Sequence, residues 1–226
     1  MKIAVLSSGG LDSTTCISLA LDMYNKEDVC SIAFRYGQKH NKELECSEKI
    51  AQYYGIKHHV LDLTEIFKES KCSLISESVE IEDGSYKKQI ENSNGIISTY
   101  VPFRNGLMLA SVASFMMSKY DEEIVLYLGI HADDAAGNAY ADCSEAFYES
   151  MNKAISIGTY NKVRIEAPFK SIHKSDIVAI GTKLKTPYEL TWSCYKGGDR
   201  PCRTCATCID RIKAFEVNGL VDPTLI

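Results

Sequence analysis

Short apolar runs alternate along the chain with longer segments in which apolar residues recur every three to four positions. The short runs predict strands at 2–6, 29–36, 58–63, 124–130 and 163–167. The periodic segments predict helices at 13–24, 39–54, 105–119, 142–157 and 174–184. Alternation of this kind predicts an α/β fold with a doubly wound parallel sheet. Ligands of such sheets bind beyond the carboxyl ends of the strands, at the switch point of the strand order.

A glycine and hydroxyl motif follows the first predicted strand. Its residues, named here the phosphate loop, are Ser7, Ser8, Gly9, Gly10, Leu11, Asp12, Ser13 and Thr14. Gly9 and Gly10 allow a tight turn that brings backbone N–H groups close to a ligand. We expect Asp12, Ser13 and Thr14 to cap the next helix, whose positive dipole end faces the same point. The motif therefore predicts a phosphate or pyrophosphate site; the alternative is an ordinary glycine-rich turn.

The composition favours a small-molecule enzyme. The chain has 226 residues, 45% hydrophobic and 24% charged, and a net charge of −5. This acidic balance argues against a nucleic-acid partner, since proteins that bind nucleic acids usually carry a basic surface. The longest apolar stretch, 107–117, is too short to cross a membrane. The sequence thus predicts a cytoplasmic protein without a membrane partner.

Four of the nine cysteines lie close together near the end of the sequence. They are Cys194, Cys202, Cys205 and Cys208. Four thiolates at this spacing suit a structural zinc ion, which closes a tetrahedral site; an iron–sulfur cluster and free or redox-active thiols are the alternatives. We therefore divide the chain into a nucleotide-binding and catalytic domain at 1–190 and a zinc-binding segment, named here the cysteine tail, at 191–226.

The phosphate loop and the cysteine tail together resemble the 7-cyano-7-deazaguanine synthase family of PP-loop ATP pyrophosphatases. The resemblance covers the whole chain and includes the segments 36–40, 100–106, 141–143 and 192–195. It implies a Rossmann-like, adenine nucleotide α-hydrolase-like fold. Four places depart from the usual family pattern: Phe103 replaces a small residue, Ala141 a proline and Arg203 a frequent glycine, and the segment 131–134 differs from the usual Asn-Ala sequence.

The resemblance also implies a reaction. A carboxylate on 7-deazaguanine is adenylated by ATP, ammonia displaces AMP to give the amide, and a second adenylation leads to the nitrile. The implied cofactors are ATP and Mg²⁺ beside the structural zinc, and the implied assembly is a homodimer. No glutaminase domain is expected in this chain, so ammonia is expected free or from a partner.

Several residues are candidates for substrate and phosphate contacts. Candidate catalytic residues are Arg104, Lys170, Lys174 and Asp133; candidate substrate-binding residues are Gln38, Asn105, Asp134 and Asp142. A guanidinium offers fixed bidentate geometry to an α-phosphate or adenylate, and lysines stabilise phosphate charge. A carboxylate can accept hydrogen bonds from a guanine-like edge or hold Mg²⁺. The alternatives are a surface arginine, solvated lysines, and aspartates that serve turns and helix caps.

Other functions remain open from the sequence alone. A relative could stop at the amide or modify another acceptor, as defence-associated family members do. A PP-loop tRNA-modifying enzyme and a nucleotide-binding module without turnover are further alternatives. The 68–99 segment lacks clear periodicity, and long loops of this kind are usually functional or disordered.

Overall fold

The protein is described here from a computed structural model that covers residues 1–93, 96–135 and 140–226, without the side chains of Asp134 and Ala135. Its strands are β1 (Lys2–Leu6), β2 (Val29–Arg35), β3 (Lys57–Asp62), β4 (Ile124–Tyr127) and β5 (Val163–Glu166). They form one parallel sheet in the order β3-β2-β1-β4-β5. The predicted doubly wound parallel fold is therefore confirmed.

Helices cover both faces of this sheet. They are α1 (Leu11–Met23), α2 (Lys42–Tyr54), α3 (Thr64–Phe67), α4 (Tyr86–Asn92), α5 (Arg104–Lys119), α6 (Ala132–Ala135), α7 (Glu145–Gly158), α8 (Lys174–Lys183) and α9 (Ala206–Val217). Successive strand residues point to opposite faces. Ala4 accordingly packs in one core cluster, with α5 and α7, while Ile3 packs in a second cluster, with α1, α8 and α9.

The switch point lies at the carboxyl end of β1. β1 pairs with β2 on one side and with β4 on the other, and the chain winds outward in both directions from this central strand. The phosphate loop leaves β1 at this point. In the described residues no helix is long and apolar enough to cross a membrane.

Some predicted boundaries and caps are wrong. Helix α1 begins at Leu11 and is capped by the backbone of Gly10, so Asp12, Ser13 and Thr14 lie in its first turn and do not cap it. The Thr14 hydroxyl instead donates to the Gly10 carbonyl at 2.7 Å. Strand β4 ends at Tyr127, three residues earlier than predicted.

The largest omission is α9, which the sequence analysis did not predict. It begins directly after Cys205 and contains Cys208, so two of the four clustered cysteines lie at the start of this helix. Helix α4 was also missed, inside the 68–99 segment. A separate 3₁₀ turn, Ala141–Cys143, precedes α7 where one continuous helix was predicted.

Candidate functional site: a cavity at the switch point

A cavity of about 220 Å³ opens above the carboxyl ends of the central strands. Its wall combines the phosphate loop, the ends of β2 and β4, the first turns of α2, α5 and α8, and the cysteine tail. Predicted residues that line it are Ser7, Ser8, Gly10, Leu11, Asp12, Ser13, Gln38, Arg104, Asn105, Asp142 and Lys174. The position is that expected for a ligand of a doubly wound sheet.

The phosphate loop is held tightly against α2. Gly9 has φ +74°, and a Cβ placed on it would lie 2.4 Å from the Glu43 carbonyl oxygen and 2.7 Å from the Ser47 nitrogen. The Ser47 hydroxyl donates to the Ser7 hydroxyl at 2.8 Å. The first N–H groups of α1 have no acceptor within the helix, so this wall offers the donors and the dipole that bind phosphate.

A cation and a carboxylate face each other beside this loop. The Lys174 ammonium lies 3.2 Å from Asp12 Oδ2. The imidazole of His131, buried at 2% exposure, lies 3.8 Å from the same oxygen. The other oxygen of Asp12, Oδ1, is buried and has no hydrogen-bond partner among the described residues. A carboxylate oxygen of this kind fits a hard cation such as Mg²⁺.

Arg104 lies in the cavity wall at the start of α5. Its guanidinium stacks on the Tyr36 ring, 5.4 Å from the ring centre, and donates to the Tyr36 hydroxyl at 3.4 Å. Burial alone would lower the pKa of Arg104, but the neighbouring Tyr36, Tyr195 and Glu43 raise it overall. Arg104 therefore stays a cation in the cavity wall.

Three tyrosines form an aromatic wall near Arg104. The Tyr195 hydroxyl lies 2.9 Å from that of Tyr86 and 3.4 Å from that of Tyr140. The rings of Tyr86 and Tyr140 pack edge to face at 5.7 Å. Burial raises the pKa of all three hydroxyls, so they remain neutral. This wall brings together α4, the turn before α7 and the cysteine tail.

Asn105 and Asp142 bind each other. The Asn105 backbone donates to Asp142 Oδ2 at 2.9 Å, and its side-chain amide donates to the Asp142 carbonyl at 3.1 Å and to Cys143 Sγ at 3.2 Å. Asp142 is 5% exposed and accepts this bond at the first turn of α5. The pair lines the cavity and fixes the start of the helix that carries Arg104.

Two candidate catalytic residues lie outside the cavity lining. Lys170 pairs with Glu145 at 2.5 Å and lies over the Tyr148 ring. Asp133 accepts from the Lys174 backbone and from His173, each at 2.8 Å. Partial burial would raise the pKa of Asp133, but these hydrogen bonds lower it. Asp133 thus fixes the first turn of α8, from which Lys174 reaches the cavity.

The remaining predicted substrate-binding residues are Gln38 and Asp134. Gln38 borders the cavity, but its amide oxygen accepts from the Tyr36 backbone at 2.8 Å and its amide nitrogen donates to the Phe34 carbonyl at 3.0 Å. Its amide therefore shapes the turn after β2. Asp134 lies in α6, and its side chain is outside the described part of the chain.

The four tail cysteines converge. The sulfurs of Cys194, Cys202, Cys205 and Cys208 all lie within 4.8 Å of one another. Backbone N–H groups of Thr204 and Cys205 point at Cys202 Sγ, at 3.4 and 3.3 Å. The pKa of Cys194 is lowered, because the thiols of Cys205 and Cys208 donate to its sulfur. Converging sulfurs with backbone donors fit a four-cysteine metal site, and zinc is the ion that this ligand set suits best.

The cysteine tail contacts both the phosphate loop and the 68–99 segment. The Trp192 backbone donates to the Gly9 carbonyl at 2.9 Å. Asp83 forms a β-bridge with Cys205, and its carboxylate pairs with Lys196 at 2.6 Å. These contacts position Tyr86 of α4 next to Tyr195. The 68–99 segment therefore supplies part of the cavity wall.

A buried ion pair anchors the end of the tail. Arg211 and Asp222 have side chains exposed by only 4% and 2%, and their charged atoms meet at 2.7 Å. The same guanidinium donates to the hydroxyls of Thr191 and Ser193 at 2.7 and 3.1 Å. Ser193 lines the cavity, so this network links the tail core to the site wall.

Several cavity residues were not predicted from the sequence. They are Glu43, Tyr86, Tyr140, Trp192, Ser193, Tyr195 and Thr207. Tyr86 and Tyr140 lie in segments without a motif, whereas Trp192, Ser193, Tyr195 and Thr207 lie in the cysteine tail, which was predicted only to hold a metal ion. Glu43 could have been found, because it lies in the first turn of the helix that follows the second strand, at the same sheet edge as the phosphate loop.

The sequence was compared with protein families and with known proteins. Residues 2–219 match the family described as "Queuosine biosynthesis protein QueC". The chain is 36% identical to the 7-cyano-7-deazaguanine synthase of Archaeoglobus fulgidus, over 100% of this chain and 90% of that protein. It is 37% identical to the enzyme of that name from Caldicellulosiruptor saccharolyticus, over 99% and 94%.

One solved structure is similar to this chain in fold alone. NMN synthetase from Francisella tularensis superposes with a TM-score of 0.50 at 11% identity, over 97% of this chain and 77% of that chain. The family assignment rests instead on the match along nearly the whole sequence and on relatives more than a third identical. The chain belongs to the QueC family of queuosine biosynthesis proteins.

Proposed function

We propose that this chain is an ATP-dependent carbon–nitrogen ligase that converts 7-carboxy-7-deazaguanine and ammonia into 7-cyano-7-deazaguanine. The proposal is supported by the names of its relatives. The observation that carries it is that the phosphate loop, Arg104 and the aromatic wall line one cavity. Adenylation brings the α-phosphate of a nucleotide next to the carboxylate of the acid, and these parts of the wall offer contacts for both groups.

The first half of the reaction makes the amide. The substrate carboxylate attacks the α-phosphorus of ATP, and pyrophosphate leaves. Ammonia then attacks the acyl carbon, loses a proton, and displaces AMP. Positioning the two reactants in one site supplies much of the rate enhancement for such transfers.

The second half removes the amide oxygen. That oxygen attacks the α-phosphorus of another ATP, and pyrophosphate leaves again. Loss of two protons from the nitrogen and of AMP from the carbon gives the nitrile. The oxygen departs on AMP, so each half of the reaction yields one AMP and one pyrophosphate.

The residues of the cavity divide the work. The backbone of the phosphate loop, with the hydroxyls of Ser8 and Ser13, holds the departing pyrophosphate. Lys174 and Arg104 stabilise negative charge on the transferring phosphate. Asp142 and Asn105 keep the first turn of α5, and with it Arg104, in place. Lys170, paired with Glu145, has no role in this scheme.

Two metal ions complete the proposal. Mg²⁺ would be held by Asp12 and would neutralise the phosphate oxygens. Zinc would be held by Cys194, Cys202, Cys205 and Cys208 and would keep the tail folded against the cavity. The homodimer, the supply of ammonia in free form or from a partner, and the cytoplasmic location stay predictions.

The deciding experiment incubates the purified protein with ATP, Mg²⁺, ammonium and 7-carboxy-7-deazaguanine and follows the base by mass spectrometry. The expected products are the nitrile, AMP and pyrophosphate, with no ATP consumption when the deazapurine acid is omitted. Metal analysis of the same sample is expected to find zinc without iron.

Each other outcome contradicts part of the proposal or favours another function. Accumulation of the amide contradicts the second half of the scheme. A brown protein with iron absorption favours tRNA modification, and ATP binding without turnover favours a nucleotide-binding module. A Lys174→Met variant with normal zinc content and full activity contradicts the assigned role of that residue.

A further inference from the structure

We propose that Glu43 recognises the N1–H and 2-amino edge of the 7-deazaguanine ring and so selects a guanine-type base over other planar acids. This inference rests on the proposed function, because it names how the same cavity distinguishes its substrate. Neither the family match nor the names of the relatives assigns a role to this residue.

Glu43 is a carboxylate with unused acceptors in the cavity wall. It lies in the first turn of α2, lines the cavity and is half-buried. Across residues 1–93, 96–135 and 140–226, no hydrogen bond or ion pair engages its side chain; its neighbour Arg104 interacts with it only at longer range. Burial raises the pKa of Glu43, while Arg104 and His40 oppose this rise. A desolvated carboxylate without a partner is costly unless a ligand supplies one.

The backbone of Glu43 is fixed by the phosphate loop. Its carbonyl oxygen packs directly on Gly9, closely enough that any Cβ there would collide with it. The neighbouring Ser47 on the same helix donates to Ser7. The carboxylate therefore projects from a rigid turn, as a specificity residue requires.

The chemistry of a carboxylate selects between ring edges. Its two oxygens both accept, so they pair with two adjacent donors. A guanine-type edge presents N1–H and the 2-amino group side by side. An adenine-type edge presents a donor next to a ring-nitrogen acceptor, which would face a carboxylate oxygen with its lone pair. An ionised Glu43 thus matches the guanine edge and opposes the adenine edge.

The surroundings of Glu43 suit the rest of that molecule. The rings of Tyr36, Tyr86 and Tyr195 provide flat aromatic surface for a heterocycle, and aromatic rings stack readily on bases. Arg104 lines the same cavity and interacts electrostatically with Glu43, so it is a separate cation near that carboxylate. The substrate has its carboxylate on the five-membered ring, away from the amino edge, so a carboxylate and a guanidinium at different points meet its two polar ends.

The test measures binding of two bases by calorimetry, independently of turnover. The bases are 7-carboxy-7-deazaguanine and the analogue without the 2-amino group, 7-carboxy-7-deazahypoxanthine. The proteins are the wild type, Glu43→Gln, and Glu45→Gln, which changes an exposed glutamate on the same helix. Glutamine keeps the shape of Glu43 but replaces one acceptor by a donor.

We expect the wild type to bind the guanine-type base at least about 10-fold more tightly than the analogue. Glu43→Gln is expected to weaken binding of the guanine-type base by about 10- to 100-fold and to leave the analogue within about threefold. Glu45→Gln is expected to retain the wild-type preference. The KM for ATP is expected to stay unchanged in both variants.

Contrary results separate the two proposals. The role of Glu43 is overturned if the wild type does not prefer the amino-bearing base, if Glu43→Gln weakens both bases equally, or if only the KM for ATP rises. Selective binding without any nitrile or amide product leaves the role of Glu43 standing and contradicts the proposed reaction. The measurement on the wild type alone can contradict the proposal. The proposal therefore stays testable even if the Glu43→Gln variant folds poorly.

Discussion

The phosphate loop and the cysteine tail line the same cavity, but contacts of different range hold them. Within the loop, Ser8 bonds to Ser13 and Thr14 to Gly10, so much of its shape is set inside eight residues. The tail bonds to Gly9 through Trp192 and to Asp83 through Cys205, far away in sequence. The loop is therefore a local structure that packing refines, whereas the tail takes its shape from distant partners and from its sulfur cluster.

This difference predicts that the two regions fail in different ways. Damage to the loop is expected to remove phosphate binding and leave the fold intact. Damage to the tail is expected to lower the stability of the whole chain, because α9 packs in the same core cluster as α1 and α8. The three substitutions below test this contrast.

The largest effect is expected from Arg211→Met, which breaks the buried ion pair of the tail. Asp222 is then left as an uncompensated buried charge, a change that typically costs about 3–5 kcal/mol in the free energy of unfolding. Urea denaturation followed by circular dichroism measures the loss. A double variant, Arg211→Met with Asp222→Leu, is expected to recover part of it, since removing both charges is often close to neutral.

The matched control is Lys68→Met, which breaks the exposed Lys68–Glu65 pair at 2.8 Å. Exposed pairs contribute about 0–1 kcal/mol. Equal losses in Arg211→Met and Lys68→Met would show that the tail network does not anchor the chain.

A smaller effect, on rate, is expected from Gly9→Ala. The positive φ and the collision with the Glu43 carbonyl force the loop to move, and a displacement of about 1 Å at a reacting site can cost about 100-fold in turnover. AMP formation is measured, together with zinc content, which is expected to stay normal.

Gly158→Ala is the control for this experiment, because a Cβ at Gly158 meets nothing within 4 Å. Normal AMP formation by Gly9→Ala would contradict the tight packing of the phosphate loop. A loss of zinc in Gly9→Ala would contradict the separation between loop and tail.

The smallest effect is expected from Arg203→Gly, and it is a gain. Arg203 has φ +65°, a conformation that costs a residue with a Cβ about 1–2 kcal/mol. Glycine relieves this strain but loses more chain entropy on folding, so the net gain is expected to be below about 1 kcal/mol. Thermal unfolding of the zinc-loaded protein is expected to shift upward by up to about 4 °C; a decrease would contradict the strain.

The same conformation offers a reason for two of the departures that the family resemblance predicts. Both Phe103 and Arg203 have positive φ, at 54° and 65°. The left-handed region suits glycine, so small residues are usual at such places for a backbone reason. Phe103 is further held by edge-to-face packing on Phe147 at 5.9 Å. Sequence comparison could identify the two positions, but only the backbone angles explain them.

Patterning predicted the sheet well and the helix ends poorly. Buried strands such as β1 are apolar without interruption, and their ends follow from the turns that flank them. Helix α1 was placed two residues late because its cap is the backbone of Gly10, whereas Ser13 and Thr14 look like caps but bond back to that carbonyl. Hydroxyls near a helix start fit either role, and sequence does not distinguish them.

The site was predictable as far as its motifs reach. The phosphate-loop residues and the four cysteines lie in dense local patterns, and the structure brings each set together. Lys170 and Asp133 were candidates because of their charge, yet ion pairs and hydrogen bonds hold them outside the cavity lining. Glu43 and Tyr86 carry no local motif; only the packing of α2 and the bridge to Cys205 bring them to the cavity.

Trp192 is the one tryptophan of the chain, and it lies where loop, tail and cavity meet. Its indole donates to the Cys194 carbonyl at 2.7 Å, its ring faces the Lys42 ammonium at 5.5 Å, and its backbone bonds to Gly9. Indole emission depends on nearby charge and on access to water. The emission of this one indole is therefore expected to change when a nucleotide binds at the phosphate loop and when a metal ion leaves the cysteine tail, so both proposed events can be followed without an attached dye.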